Sequence, residues 1–474
     1  MDNKQPLPPA KADRLGLRAD ILACLRLSAR DMLESILEPS RKILPGFAVP
    51  GVDPPLSTMP AGMIDVLEKD EVWDLLYYLR REGRPKVAAV VTEYRHNSHA
   101  DVIVSRLLQT DTLDGKGKDS PLELVSLYTD QRPVNDTSRM LAASHRFSIF
   151  PSVRETLTLG TGELAVDGIL LIAEHGDYPL NPSGNHVYPK RRLWEEILAD
   201  FQQSSRTVPV FIDKHLADNW SDAKFIYDSA QAAGVPLMAG SSVPSSWRRP
   251  AADITRGAAV REIVAFTYGS TDAYGFHGLE CVQAIAEQRK AGGTGIQAVQ
   301  LLSGAEVWKA FDEHRFDPEL FAAAWSRLTH PPDMNTLRER VKEPLLFRVE
   351  YQDGLHVNLL ELNGAVTEWA GAWRYADDPE GQRIGSTLFF TQEGRPAMHF
   401  TILLNGIERM FLTGTPSWPV ERTLLTSGAL DALLLSRKEG GRRIETPYLN
   451  LSYHPTWRWQ EPPPPPPMRP WSEQ

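Results

Sequence analysis

Cysteine is nearly absent: Cys24 and Cys281 are the only two in 474 residues. They match no metal-ligand spacing and are too few for a disulfide framework, which predicts a reducing compartment, the cytoplasm by default. No apolar run approaches the roughly 18 residues of a membrane helix. The polar start MDNKQPLPPAKADR has no apolar core of a secretory signal. An excess of basic charge is missing as well. With 51 Lys and Arg against 61 Asp and Glu, the net charge of -10 does not suit a surface that must displace counterions from nucleic acid. What remains is ordinary globular material, 42% hydrophobic and 24% charged, enough for two or three domains.

A further absence is local. VAAVVTEYRHNSHADVIVSRLL, residues 87 to 108, reads as apolar strand, turn and amphipathic helix, the usual opening of a nucleotide-binding α/β domain. Glycines in such a turn let the backbone bend and approach a pyrophosphate. This turn has none. Ser98 and Asp101 have capping-box-like spacing, so Ser98 is placed to cap the helix amides that would otherwise face a phosphate. Arg95, with His96 or His99, offers side-chain charge instead.

The chain divides by texture. Residues 1–84 carry helical patterns around the loop GFAVPGVDPPLSTMPAGM and read as a helical appendage. From 85 to about 245 apolar strands alternate with helices, which favours a doubly wound Rossmann-like parallel sheet, because each parallel crossover needs a helix. Residues 246–455 contain LLFRVEY, HVNLLEL, STLFFTQ and AMHFTILL, predicting an α+β domain with a largely antiparallel open sheet. The end, 456–474, is proline-rich and predicts an extended tail.

The order of these segments, with VDGILLIAEHG, VPVFIDKHLADNW and YGFHGLE, resembles the glucose-fructose oxidoreductase, inositol dehydrogenase and MocA-like family over residues 85 to 455. The resemblance implies a Rossmann domain before an α/β domain with an open sheet. It also implies NAD or NADP, a sugar, cyclitol or related polyol as substrate, and a homo-oligomer joined through the open sheet face. The family's Glu-Lys-Pro falls on Asp213, Lys214 and His215; its histidine and acid at a helix start fall on His277 and Glu280. Asp272 stands one residue away from the family's upstream aspartate position, which is Ala273. Asp130, closing the second strand, takes the place of the acid that receives a ribose hydroxyl. Residues 30 to 80, through ILEPSRKI, STMPAGMIDVL and EVWDLLYYLR, resemble part of a planctomycete-type haem-binding cytochrome domain, with Met59 or Met63 in the place of an axial ligand. No Cys-x-x-Cys-His is present to anchor a haem.

Site candidates follow. Lys214 and His277 are expected as catalytic residues, with Asp272 and Tyr274 beside them; a lysine past a strand offers three donors to a substrate oxygen, and an imidazole exchanges protons near neutrality. Arg95, His96, Ser98, Asp130, Glu174 and Asp213 are expected to hold the cofactor. His175, Asp177, His215 and Glu280 are expected to meet substrate. The leading expectation is an NAD(P)-dependent polyol oxidoreductase. A carbohydrate lyase, isomerase or hydrolase assisted by a metal on the carboxylate and imidazole residues stands beside it, as does a noncatalytic sugar-binding module.

Overall fold

The computed structural model describes residues 83 to 378 and 383 to 465. The helical appendage, its haem-domain resemblance and the last residues of the tail lie outside the described residues. Six parallel strands, β1 (Lys86–Val91), β2 (Glu123–Thr129), β3 (Ser148–Ile149), β4 (Gly168–Ile172), β5 (Val210–Asp213) and β6 (Leu237–Gly240), form a sheet in the order 3-2-1-4-5-6. β1 and β4 are almost wholly buried, as continuous apolar strands must be when helices cover both faces. The helices between them are α1 (His99–Leu108), α2 (Ser138–His145), α3 (Val153–Thr158), α4 (Lys190–Ser204) and α5 (Trp220–Ala233). The strand order reverses between β1 and β4. In doubly wound folds ligands bind at that switch point, outside the carboxyl ends of the strands.

β7 (Trp247–Arg249) and β8 (Val260–Thr267) lead through α6 (Tyr274–Ala286) to β9 (Ile296–Ser303). Then come α7 (Ala305–Asp312), α8 (Pro318–Trp325), α9 (Leu337–Arg340), β10 (Leu345–Tyr351), β11 (His356–Glu361), β12 (Trp369–Tyr375) and β13 (Ile384–Phe390). With β14 (Ile444–Glu445) they make an eight-stranded sheet, 14-9-10-11-8-12-13-7, antiparallel except for the β11–β8 pair. Both faces of this sheet are covered. α6 packs on one; on the other Val307, Leu320, Phe321 and Trp325 of α7 and α8 cover Phe266, Leu346 and Leu360. The open face expected to join subunits is therefore filled within the chain.

AMHFTILL is not a strand. It opens α10 (His399–Thr413), whose buried Phe400, Leu403, Leu404, Ile407, Met410 and Phe411 recur with helical, not alternating, period. α10 returns to the first domain, where its residues share a core with β1 and α1. Gly168 of β4 admits this helix: a Cβ there would lie 2.4 Å from the Phe411 ring.

α11 (Val420–Lys438) then joins the two units. Val420 and Leu424 belong to the core of the first sheet, Leu425, Leu430 and Leu433 to that of the second. Ser427 Oγ accepts the Leu216 amide at 3.0 Å and Asp431 accepts the Trp220 amide at 2.9 Å. Arg422 pairs with Glu287 of the segment after α6, Nε to Oε2 at 3.0 Å, both buried. Removing one partner leaves an uncompensated buried charge, so Arg422→Met should cost about 3–5 kcal/mol in denaturant unfolding.

Candidate active site

The centre of the site is one buried carboxylate. Glu174, just past β4, accepts from Lys190 Nζ at 2.7 Å and lies 3.2 Å from Lys214 Nζ. Lys190, the first residue of α4, also donates to the carbonyls of Asp213 (3.0 Å), Lys214 (2.8 Å) and His215 (2.7 Å). The ends of β4 and β5 and the start of α4 are thus tied at one ammonium. Burial pushes the Glu174 carboxyl up, but Lys190, Lys214 and His215 hold it well below the usual range. Burial likewise pulls the Lys214 ammonium down, and the charges of Glu174 and Asp213 raise it above its ordinary value. Lys214 is a fixed, almost wholly buried cation, and its field is strong there.

His277, in the first turn of α6, faces the same space from the second domain. Asp213 Oδ2 lies 2.5 Å from His99 Nδ1, and the His99 ring is stacked 6.5 Å from that of His277. The β5 end and the α6 start are therefore two short steps apart. Burial, then the charges of Lys214 and His99, lower the His277 imidazole well below its ordinary value, so it is neutral at pH 7. Its Nδ1 lies 2.6 Å from Ser241 Oγ, which also accepts the Val243 amide at 3.0 Å. Trp369 and Tyr274 meet the His277 ring edge-on, and the Tyr274 ring stacks on Trp369.

The remaining candidates divide. Asp272 accepts from His186 Nδ1, and its carbonyl faces His215 Nε2 at 3.3 Å. His175 has φ 69°, sits 5.2 Å from the His99 ring, and its buried Nδ1 takes no hydrogen bond. Glu280 does not face the cleft: its carboxyl is spent on Thr426 Oγ1 at 2.7 Å and the Ser241 amide at 3.3 Å. Asp177 is exposed, its backbone joined to Gln131. Among the described residues no group of three or more His, Cys, Asp or Glu is arranged to hold a metal ion.

The expected cofactor residues are engaged by the protein. Arg95 Nε donates to Glu93 at 2.6 Å, and His96 is exposed, 3.9 Å from Asp101. Ser98 Oγ accepts the amides of Asp101 (3.2 Å) and Arg95 (3.3 Å), while Asp101 Oδ2 accepts the Asn97 amide at 2.8 Å. Asn97, at φ 57°, takes the left-handed conformation that glycine would supply. Asp130 accepts from Tyr178 (2.6 Å), Tyr128 (2.8 Å) and Arg192. The residues at the usual pyrophosphate and ribose positions do not fit a dinucleotide. Lys190, His186 and Ser241 were not singled out by sequence.

No protein-family model matches the chain, and no curated protein matches it. Among solved structures it is similar to GenD2 from gentamicin A biosynthesis in complex with NAD: 13% identity and TM-score 0.48, over 76% of this chain and 96% of that one. It is also similar to apo scyllo-inositol dehydrogenase from Lactobacillus casei, at 11% identity and TM-score 0.47, over 76% and 98%. A probable dehydrogenase from Thermotoga maritima gives 12% and 0.47, over 77% and 99%. The chemistry of this chain rests on its own side chains. Among the described residues no helix is long and apolar enough to cross a membrane.

Several imidazoles here are buried neutral. Burial, then His99 and Lys214, lowers His175 to about 3; burial, then Lys190, lowers His215 to about 4; burial, then Arg106, lowers His399 to about 3. Above the ordinary histidine value of 6.5 these groups are neutral folded or unfolded. Below it only the unfolded chain takes up protons, so stability falls from pH 6.5 down to the folded values of 3 to 4. At pH 5 each contributes a loss of about 2 kcal/mol. Unfolding free energies at pH 7, 6 and 5 should fall accordingly, and His399→Leu should flatten that slope.

Proposed function

We propose that the chain is an enzyme acting on a sugar-class molecule in its carbonyl form, moving a proton at the carbon beside the carbonyl, as an isomerase, epimerase or lyase does. The observation that carries this reading is that a carboxylate-anchored Lys214, just past β5, and His277, at the start of α6, are brought into one buried cluster through Asp213 and His99, the first held charged and the second neutral. Lys214 donates to the carbonyl oxygen and stabilises the oxyanion as negative charge develops there. In the tautomer that gives Nδ1–H to Ser241, His277 uses the Nε2 lone pair to take the proton from carbon. The imidazolium so formed faces an anionic intermediate, which offsets the depression that Lys214 imposes. The orphaned Nδ1 of His175 is an acceptor for a substrate hydroxyl. Lys190 positions Lys214 through the carbonyls and Glu174, and touches no substrate.

The same pair would serve a polyol dehydrogenase, the reading the family resemblance favours, where hydride would pass to a nicotinamide. The filled turn and an Asp130 already bonded at both oxygens weigh against that reading. One experiment separates the two. Aldoses, ketoses and oxidised cyclitols are incubated with the protein in D2O and followed by NMR, with and without NAD or NADP. Deuterium should enter a substrate C–H position without nucleotide. Turnover that requires nucleotide and reduces it would replace proton transfer with dehydrogenation. Lys214→Met and His277→Ala should each slow the exchange by about 10²–10⁴-fold, and unchanged rates in both would remove this site from the chemistry.

A further inference from the structure

We infer that the chain occupies its own dinucleotide seat, with side chains standing where pyrophosphate, ribose and nicotinamide would lie, so that the cleft takes a ligand without a nucleotide. At the pyrophosphate position the anion at the α1 N-terminus is the buried Asp101 carboxylate. It accepts the Asn97 amide, the Ser105 hydroxyl at 2.8 Å and Arg395 at 2.9 Å, and the helix dipole favours it as it would a phosphate. At the ribose position the two hydroxyl donors to Asp130 are Tyr128 and Tyr178, joined by Arg192. They engage both oxygens that a sugar diol would use, Tyr128 and Arg192 on Oδ1 and Tyr178 on Oδ2. Over the switch point, the His99 ring bridges to Asp213 at the end of β5 and lies against His175 past β4.

Each closure draws on a remote segment. Arg395 is 294 residues from Asp101, Asp213 is 114 from His99 and Arg192 is 62 from Asp130. The seal therefore belongs to the tertiary fold and not to the first turn alone. A dinucleotide would have to break all three contacts and set two phosphates against a buried carboxylate that cannot leave.

The inference stands apart from the substrate proposed above, since nucleotide binding and deuterium exchange are read separately. The full chain is titrated with NADH and NADPH to about 1 mM, far above ordinary cofactor dissociation constants, by calorimetry and hydrogen–deuterium exchange. Expected are no heat and unchanged exchange over residues 92–102, 128–132 and 172–178. Protection of those segments by either nucleotide overturns the inference; heat with protection confined to other segments leaves the seat sealed and supports it. A second measurement uses no nucleotide. Asp130→Ala would merely empty a cofactor site, but here it strips three donors of their acceptor, so the melting temperature should drop by several degrees. An unchanged melting temperature would contradict the seal.

Discussion

Glu174 is the group on which the site depends. Two ammonium groups and an imidazole converge on one carboxylate with almost no exposure, an arrangement whose desolvation cost is offset only when every charge is paired and every remaining donor filled. The fold meets that condition with backbone. Lys190 shares its three N–H donors among Glu174 and the successive carbonyls of Asp213, Lys214 and His215 at the end of β5 and just beyond, which fixes the path of the segment carrying Lys214. The cation at the cleft is therefore held by main chain and carboxylate together. It needs no ligand to stay charged or in place, and that preorganisation is what an oxyanion-stabilising group requires.

The second domain supplies the complement under the same constraint. His277 sits on a helix whose next turn, through Glu280, is bonded to Thr426 of α11 and to the Ser241 amide beyond β6. α11 has side chains in the cores of both sheets. The relative position of ammonium and imidazole is thus set by a packed helix shared between the domains. Few degrees of freedom separate the two groups, so in the proposed reaction the binding energy of a small substrate need not be spent on bringing them together.

How much of this was legible in sequence follows from which interactions are local. Continuous apolar strands followed by polar loops marked β1, β4, β5 and β6, and with them the neighbourhood of Lys214 and the EHGD loop. The histidine opening an apolar helix was readable for the same reason. Partners far apart in sequence were not. Asp213 looked like a cofactor residue because nothing in VFIDKH reveals that His99 reaches it. Lys190 was not singled out because its four acceptors come from β4 and β5. AMHFTILL was misread because six apolar side chains in eight residues satisfy both periods, and only the continuation through Ile407, Met410 and Phe411 discriminates.

The doubly wound sheet and its customary ligand are separable properties. The parallel strand order 3-2-1-4-5-6 and its buried apolar runs are intact with no glycine in the first turn. Nucleotide binding needs free amides, an unpaired acid at the end of β2 and open space over the switch point. The acid is present as Asp130, but Tyr128 one turn of the strand back, Tyr178 from the loop after β4 and Arg192 from α4 have already met it. A carboxylate's role is set by who reaches it first within the fold, so the residue type that identifies a ribose acceptor in one chain is, here, the anchor that closes the place where ribose would go.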